Sequence, residues 1–216
     1  MPYRINQSGK IKTVLLIIAA ILLVVVIGLF AVYKLMFSGA KLSDYEYLKE
    51  PQISEMAEQS MMVISLTGDA DATAGDAISV LYKAYYQLDG VSKGKMPAPK
   101  ARWQWDQEKY DITDEDAVLT GEYGLPIPDS VKELPAGSDP RLKIKTWEYG
   151  QVAEILHVGD YNNETPTIDK LHKFIEDQGY EIIGDHEEEY AKGPGMFGKG
   201  NPDKYLTIIR YQIKKL

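Results

Sequence analysis

The sequence of 216 residues predicts an α+β fold with two similar strand–helix–strand–strand units, placed behind one membrane-spanning helix. Three observations support this prediction. An uncharged apolar run lies near the N-terminus, two amphipathic helical stretches lie 90 residues apart, and strand-like segments follow both helices in the same order. A pattern that recurs at a fixed spacing indicates an internal repeat.

Composition excludes several classes of protein. Hydrophobic residues make up 44% and charged residues 26% of the chain, which is close to globular averages and excludes wholesale disorder. Without Cys, there can be no disulfide scaffold, Cys-ligated metal or thiol nucleophile, and three His leave little room for a histidine metal centre. A net charge of -8 argues against sequence-independent binding of nucleic acid. We therefore expect no cofactor, no metal and no nucleic-acid partner.

The apolar run covers residues 14–32 and contains no charged side chain. As a helix it would span roughly 28 Å, close to the thickness of a hydrocarbon core. We expect a single-pass anchor over 13–34, after a short basic segment over 1–12 and before a polar spacer over 35–54. The basic residues ahead of the run place the N-terminus in the cytoplasm and the remaining chain outside it. A cleaved signal peptide is the alternative, although the run of 19 residues exceeds the usual apolar core.

The first half of the predicted domain covers about 55–130. Strand-like runs lie at 61–66, 101–106 and 118–127, and a helix is expected over 73–89. The helix carries apolar side chains at helical spacing: Ile78, Leu81, Tyr82, Tyr85 and Leu88. The dipeptide Asp89-Gly90 then ends it with a turn signal.

The second half covers about 141–216 and repeats this order. An extended segment over 143–158 precedes a helix over 166–178, and strands are expected over 181–190 and 205–213. The apolar helix positions lie 90 residues after their counterparts, and residues 211–213 lie 86 residues after 125–127. Because either half alone would bury little apolar surface, we expect both halves to share one sheet.

Three stretches of the second half carry a family resemblance: GQVAEILHVGDY (150–161), TIDKLHKFIEDQGYEIIGDHEEEY (167–190) and KYLTIIRYQIKK (204–215). They resemble the GyrI-like small-molecule-binding domain, the effector-binding module of AraC-type and MerR-type regulators. RWQWD (102–106) and EYGLPIP (122–128) extend the likeness to the first half. The resemblance implies a bacterial protein whose two units are related by a pseudo-twofold, with a central antiparallel sheet and a ligand cleft. About a dozen residues precede the apolar run, so we expect a tethered module without a DNA-binding domain.

The candidate site centres on the acidic strand at 187–190. Alternation places Glu188 and Tyr190 on one face, with Glu187 and Glu189 solvated on the other. The resemblance implies that the Glu two residues before this Tyr, here Glu188, points into the cleft. A carboxylate in an aromatic cleft attracts cationic or hydrogen-bond-donating ligands, and it can act as a general base if burial raises its pKa. A solvated acidic strand edge is the alternative reading.

The aromatic candidates for the cleft wall are Trp103, Trp105, Tyr123 and Tyr82. Alternation puts Trp103 and Trp105 on the same face of one strand, although aromatic side chains are as often core residues as ligand contacts. The G-x-G-x-x-G pattern at 193–198 is followed by a strand rather than a helix. It therefore predicts a hairpin loop and not a dinucleotide site.

Three functions remain open from the sequence. The first is a membrane-anchored module that binds amphipathic or lipophilic cationic small molecules. The second is a hydrolase of reactive small electrophiles, with Glu188 as general base and Tyr190 beside it. The third is an interaction module for a protein partner at the membrane. The sequence favours binding, because it places no second acid, nucleophile or metal ligand beside Glu188.

Overall fold

The computed structural model describes residues 21–28, 40–68, 70–94, 96–103, 119–194 and 200–216. The chain divides into two units, Met1–Gly39 and Ala40–Leu216. In the first unit, residues 21–28 form a helix, α1, with exposed apolar side chains. No helix among the described residues is both long enough and apolar enough to cross a membrane. Most of the anchor predicted over 13–34, the whole segment 1–12 and Trp105 lie outside the described residues.

The second unit combines one antiparallel sheet with two α-helices. The helices are α2 (Ala70–Tyr85) and α3 (Thr165–Asp177), and three short 3-10 helices are η1 (Leu42–Leu48), η2 (Tyr161–Asn163) and η3 (Pro202–Lys204). The strands of the described residues are β1 (Gln52–Met56), β2 (Gln59–Gly68), β3 (Lys100–Trp103), β4 (Leu119–Pro126), β5 (Lys143–Trp147), β6 (Gly150–Val158), β7 (Tyr180–Ile182), β8 (His186–Lys192) and β9 (Leu206–Lys215). Their order across the sheet is β1-β6-β9-β8-β3-β4-β2-β5, and β7 pairs with the end of β9.

Local signals place several of these elements where the sequence predicts them. Pro166 lies in the first turn of α3, where its missing N–H costs no helical hydrogen bond. Gly179 follows the helix at φ 73°, a left-handed conformation that favours glycine. Gly150 has φ 75° and begins β6, just after β5 ends at Trp147, as expected for a bend in the extended segment.

The strand order is symmetric about its centre. The counterparts in the two units are β1 and β5, β2 and β6, β3 and β8, and β4 and β9. When each strand is exchanged with its counterpart, the same strand order is obtained, read from the other edge of the sheet. The registers agree, since Met62 pairs with Leu125 and Ala153 pairs with Tyr211 at equivalent positions of the two units. The predicted α+β fold with two strand–helix–strand–strand units around a central antiparallel sheet is therefore found. At the centre, Ala101 of β3 pairs with Glu188 of β8.

Each unit also begins with a strand that the sequence did not predict as part of the repeat. β1 pairs with β6 of the second unit, and β5 pairs with β2 of the first. The predicted spacer over 35–54 therefore differs from the structure, because η1 and most of β1 fall within it. Leu48 of η1 is 0% exposed and packs in a cluster with Leu156, Leu206 and Ile208. The partner strand of β1 lies about 100 residues away, so no local pattern identified this polar segment as a strand.

Both long helices lie on the same face of the sheet. Ala101 belongs to the core cluster that contains α2, and Ile209 of β9 belongs to the cluster that contains α3. Both residues pair in register with Glu188, and paired residues of an antiparallel sheet point to the same side. Glu188 therefore lies on the helix-bearing face, on the strand that joins the two halves.

Candidate functional site

A row of polar and charged side chains crosses the face of the sheet that lies opposite the helices. Its members are successive register partners on seven strands: Gln52, Glu154, Arg210, Glu187, Arg102, Glu122 and Ser65. Charges alternate along the centre of the row, so neighbouring strands are joined by attractive pairs.

Glu187 is the central carboxylate of this row. It is 3% exposed, and its oxygens lie 2.6 Å from Nη1 of Arg210 and 2.8 Å from Nε of Arg102. Burial by itself would raise the pKa of Glu187, but the charges of Lys100, Arg210 and Arg102 hold it below its usual range. The sequence-based expectation of a solvated Glu187 is therefore wrong, because its cationic partners come from strands far away in the chain.

Glu189 lies on the same face as Glu187 and is also not fully solvated. Its side chain is 21% exposed, and its Oε2 lies 3.3 Å from Nζ of Lys100 and 3.4 Å from Nη1 of Arg210. The predicted alternation along β8 nevertheless holds, since Glu187 and Glu189 face away from the side that carries Glu188.

On the helix-bearing face, Glu188 meets a different set of partners. Its Oε1 lies 2.9 Å from Nε2 of His186, and the hydroxyl of Tyr190 donates a hydrogen bond to the carboxylate. Its side chain remains 14% exposed. Burial by itself would raise the pKa of Glu188, but the hydrogen bonds from His186 and Tyr190 keep it lowered. Glu188 is therefore an ionised carboxylate at neutral pH.

Glu164 is the site residue that the sequence analysis missed. It occupies the N-cap position of α3, is 5% exposed, and shares a hydrogen bond with the carboxylate of Glu188. Burial and the charge of Glu188 raise the pKa of Glu164 to about 10. At neutral pH the two carboxyls thus hold one proton and one negative charge. The one local signal was an acid directly before a helix start with Pro in its first turn, and it does not point to Glu188.

The aromatic candidates lie together on this face. The rings of Trp103 and Tyr123 meet edge to face, with centroids 5.4 Å apart and planes at 84°. Tyr82 and Tyr190 pack against the same core cluster. Trp103 pairs in register with His186, next to Glu188. The structure therefore brings these four predicted aromatic residues to the side of the sheet that carries Glu188, and Tyr123 is so buried that it serves mainly as core.

Glu164, His186 and Glu188 present oxygen and nitrogen atoms within 4.8 Å of one another, the only such group of acids and histidines among the described residues. Both ring nitrogens of His186 are already engaged. Nδ1 lies 2.6 Å from the hydroxyl of Tyr211, and Nε2 contacts Glu188. We therefore describe the group as a hydrogen-bonded acid cluster and assign no metal to it.

The two faces differ in how their acids are compensated. Glu122, Glu154, Glu187 and Glu189 all form ion pairs with Lys or Arg. Within the described part of the chain, no Lys or Arg pairs with Glu164 or Glu188. Glu188 instead contacts the imidazole of His186. A largely buried carboxylate without a Lys or Arg neighbour is costly, and it favours a positive charge that can reach it.

Solved structures share this arrangement of strands and helices. An uncharacterized conserved protein from Listeria innocua is 27% identical, with 77% of this chain and 93% of that chain covered and a TM-score of 0.65. A hydrolase encoded by lin2189 from Listeria innocua is 26% identical, with 77% and 92% covered and a TM-score of 0.63. The C-terminal domain of EcmrR is 14% identical, with 77% and 98% covered and a TM-score of 0.58.

The chain has the GyrI-like fold. Because the sequence identity to the EcmrR domain is low, this likeness concerns the fold alone. No protein-family model matches the sequence, and no curated protein matches it. Within the GyrI-like fold, Glu188 lies at the centre of the strand order, where the resemblance placed a cleft between the two units.

Proposed function

We propose that residues 40–216 form a small-molecule-binding domain for organic cations and for amphipathic molecules with hydrogen-bond donors. The negative charge of Glu188 carries this proposal, because it lies beside a cluster of aromatic side chains and has no Lys or Arg partner among the described residues. A cationic ligand would gain a charge-assisted contact with Glu188 and favourable contacts with the faces of Trp103 or Tyr190. The GyrI-like fold, which the C-terminal domain of EcmrR shares, supports this reading.

Binding can be tested with tetraphenylphosphonium, which combines a permanent charge with an aromatic body. We expect the full-length protein in neutral detergent to bind this cation in calorimetry, and to bind the neutral triphenylphosphine oxide more weakly. Glu188→Gln keeps the shape and removes the charge, so it should cost about 1.5–3 kcal/mol, roughly one to two decades in affinity. Glu176→Gln, an exposed acid on α3, is the matched control. Equal loss of affinity in both variants would contradict a specific role for Glu188.

A hydrolase is the second candidate, and Glu164 is the observation that favours it. The sequence analysis expected no second acid beside Glu188, and that expectation is wrong. A protonated carboxyl next to an ionised one can act as acid and base in the same step. The similar fold of a Listeria innocua hydrolase is consistent with this role.

The hydrolase can be tested with a strained ring such as styrene oxide. Glu188 would accept a proton from a water molecule as the water oxygen forms a bond to a ring carbon. Glu164 would protonate the ring oxygen as the carbon–oxygen bond breaks, which yields a diol. We expect Glu188→Gln to abolish diol formation and Glu164→Gln to slow it, while Glu176→Gln has no effect. Diol formation at the uncatalysed rate by the unmodified protein would remove this candidate.

We also propose that residues 13–34 anchor the domain to a membrane, with the domain outside the cytoplasm. The uncharged run over 14–32 and the basic residues before it support this proposal. Alkaline phosphatase fused at Leu216 should be active, and a fluorescent reporter fused there should be dark. An inactive phosphatase with a bright reporter would overturn the orientation, and recovery in the soluble fraction would overturn the anchor.

A further inference from the structure

Glu164 is largely buried beside Glu188, and one of its carboxyl oxygens has no hydrogen-bond partner. Its Oε1 atom is buried and has no hydrogen-bond partner, while its carboxyl group is bonded to Glu188. The side chain is 5% exposed and projects from the start of α3 towards β8. The Oε1 acceptor is therefore already desolvated, and a carboxyl oxygen of Glu164 lies within 4.8 Å of a carboxylate oxygen of Glu188.

Among the described residues, the groups that surround Glu164 come from three parts of the fold, and none is Lys or Arg. They are Glu188, His186 and Tyr190 from β8, Asp160 and Tyr161 from the connection between β6 and α3, and Thr207 and Tyr211 from β9. Burial disfavours a negative charge on Glu164, and repulsion from Glu188 and Asp160 adds to this effect, so the pKa of Glu164 is raised. Glu164 therefore holds a proton at neutral pH, and its carboxyl group is neutral.

We propose that Glu164 is the second acidic contact for the ligand, and that an organic cation entering beside Glu188 displaces the proton from Glu164. This inference rests on the proposed function, since the cation is the ligand proposed there. The ligand brings one positive charge and one proton leaves to solvent, so the charge of the buried cluster does not change. A neutral ligand of the same shape cannot make this exchange, and Glu164 therefore adds to the selectivity for cations.

Proton release can be measured by calorimetry of tetraphenylphosphonium binding in buffers with different ionisation enthalpies. The measurement is made at pH 8.0, above the usual pKa of histidine, so that histidines contribute little. We expect the full-length protein to release close to one proton per bound cation, and Glu164→Gln to release close to none. Glu176→Gln should release as many protons as the unmodified protein. Between pH 7 and 9 the affinity should rise up to about tenfold per pH unit, and Glu164→Gln should remove this dependence.

The outcomes separate this inference from the proposed function. Tight binding of the cation without proton release would overturn the exchange and leave the binding function intact. Absence of binding by the unmodified protein would overturn both. If Glu164→Gln fails to fold, the pH dependence of the affinity of the unmodified protein still decides, because an affinity that is constant from pH 7 to 9 is incompatible with the exchange.

Discussion

Glu187 and Glu188 are adjacent on β8 and lie on opposite faces of the sheet. Glu187 contacts Arg210 at 2.6 Å and Arg102 at 2.8 Å, whereas Glu188 contacts His186 at 2.9 Å. One carboxylate is thus fully compensated by guanidinium groups, and the other keeps its negative charge available. The same strand therefore joins the two halves of the fold through Glu187 and presents a site through Glu188.

Glu187→Gln should destabilise the protein strongly. Removing this charge leaves the buried Arg210 and the partly buried Arg102 without their shared partner. Breaking a buried ion pair typically costs about 3–5 kcal/mol. Glu189→Gln should cost less, because Glu189 is more exposed and its contacts are longer. Urea unfolding of both variants tests this difference. Similar losses in the free energy of unfolding for the two variants would show that Glu187 contributes no more to stability than Glu189.

Glu164→Gln should change how stability depends on pH. The pKa of Glu164 is raised to about 10, so between about 4.5 and 10 the folded protein keeps a proton that the unfolded chain has released. Stability therefore falls as pH rises through this window, by up to about 1.4 kcal/mol per pH unit. Thermal melts at pH 5.5 and 8.5 should show a smaller loss for Glu164→Gln than for Glu176→Gln. Parallel pH profiles for the two variants would contradict the protonated state of Glu164.

Gly121→Ala should disturb the packing of Trp103 against Tyr123 without changing Glu164 or Glu188. A Cβ atom at this position would lie 2.7 Å from the ring of Trp103, which must then move from its contact with Tyr123. Overpacking of this kind costs about 1–3 kcal/mol, and it should also weaken binding of tetraphenylphosphonium. Gly94→Ala is the control, since no atom lies within 4 Å of its added Cβ. Denaturation and calorimetry of both variants give the comparison.

The boundary of the domain can be tested by truncation. A protein that begins at residue 40 retains η1 and β1, and one that begins at residue 57 loses the pairing of β1 with β6 and the buried Leu48. Burial of one Leu alone contributes roughly 1.5–3 kcal/mol, so the shorter protein should be less stable by at least about 2 kcal/mol. Equal midpoints in urea would show that residues 40–56 are a spacer after all.

The sequence by itself was sufficient to predict the helices, most strands and the repeat. Apolar spacing marks the two helices because helical periodicity is a local property, and Gly150 and Gly179 mark a bend and a helix end for the same reason. The alternation along β8 also placed Glu188 and Tyr190 on one face without knowledge of their neighbours.

Only the tertiary structure decided which groups meet. β1 and β5 exchange partners between the two units, and Glu187 is buried because Arg102 and Arg210 reach it from other strands. Glu164 joins Glu188 across 24 positions of the chain through the docking of α3 on the sheet. The physical reason is that register and helix packing determine cross-strand neighbours, and these leave no periodic signal in the residues themselves. Whether a given Glu is solvated, paired or protonated follows from those neighbours.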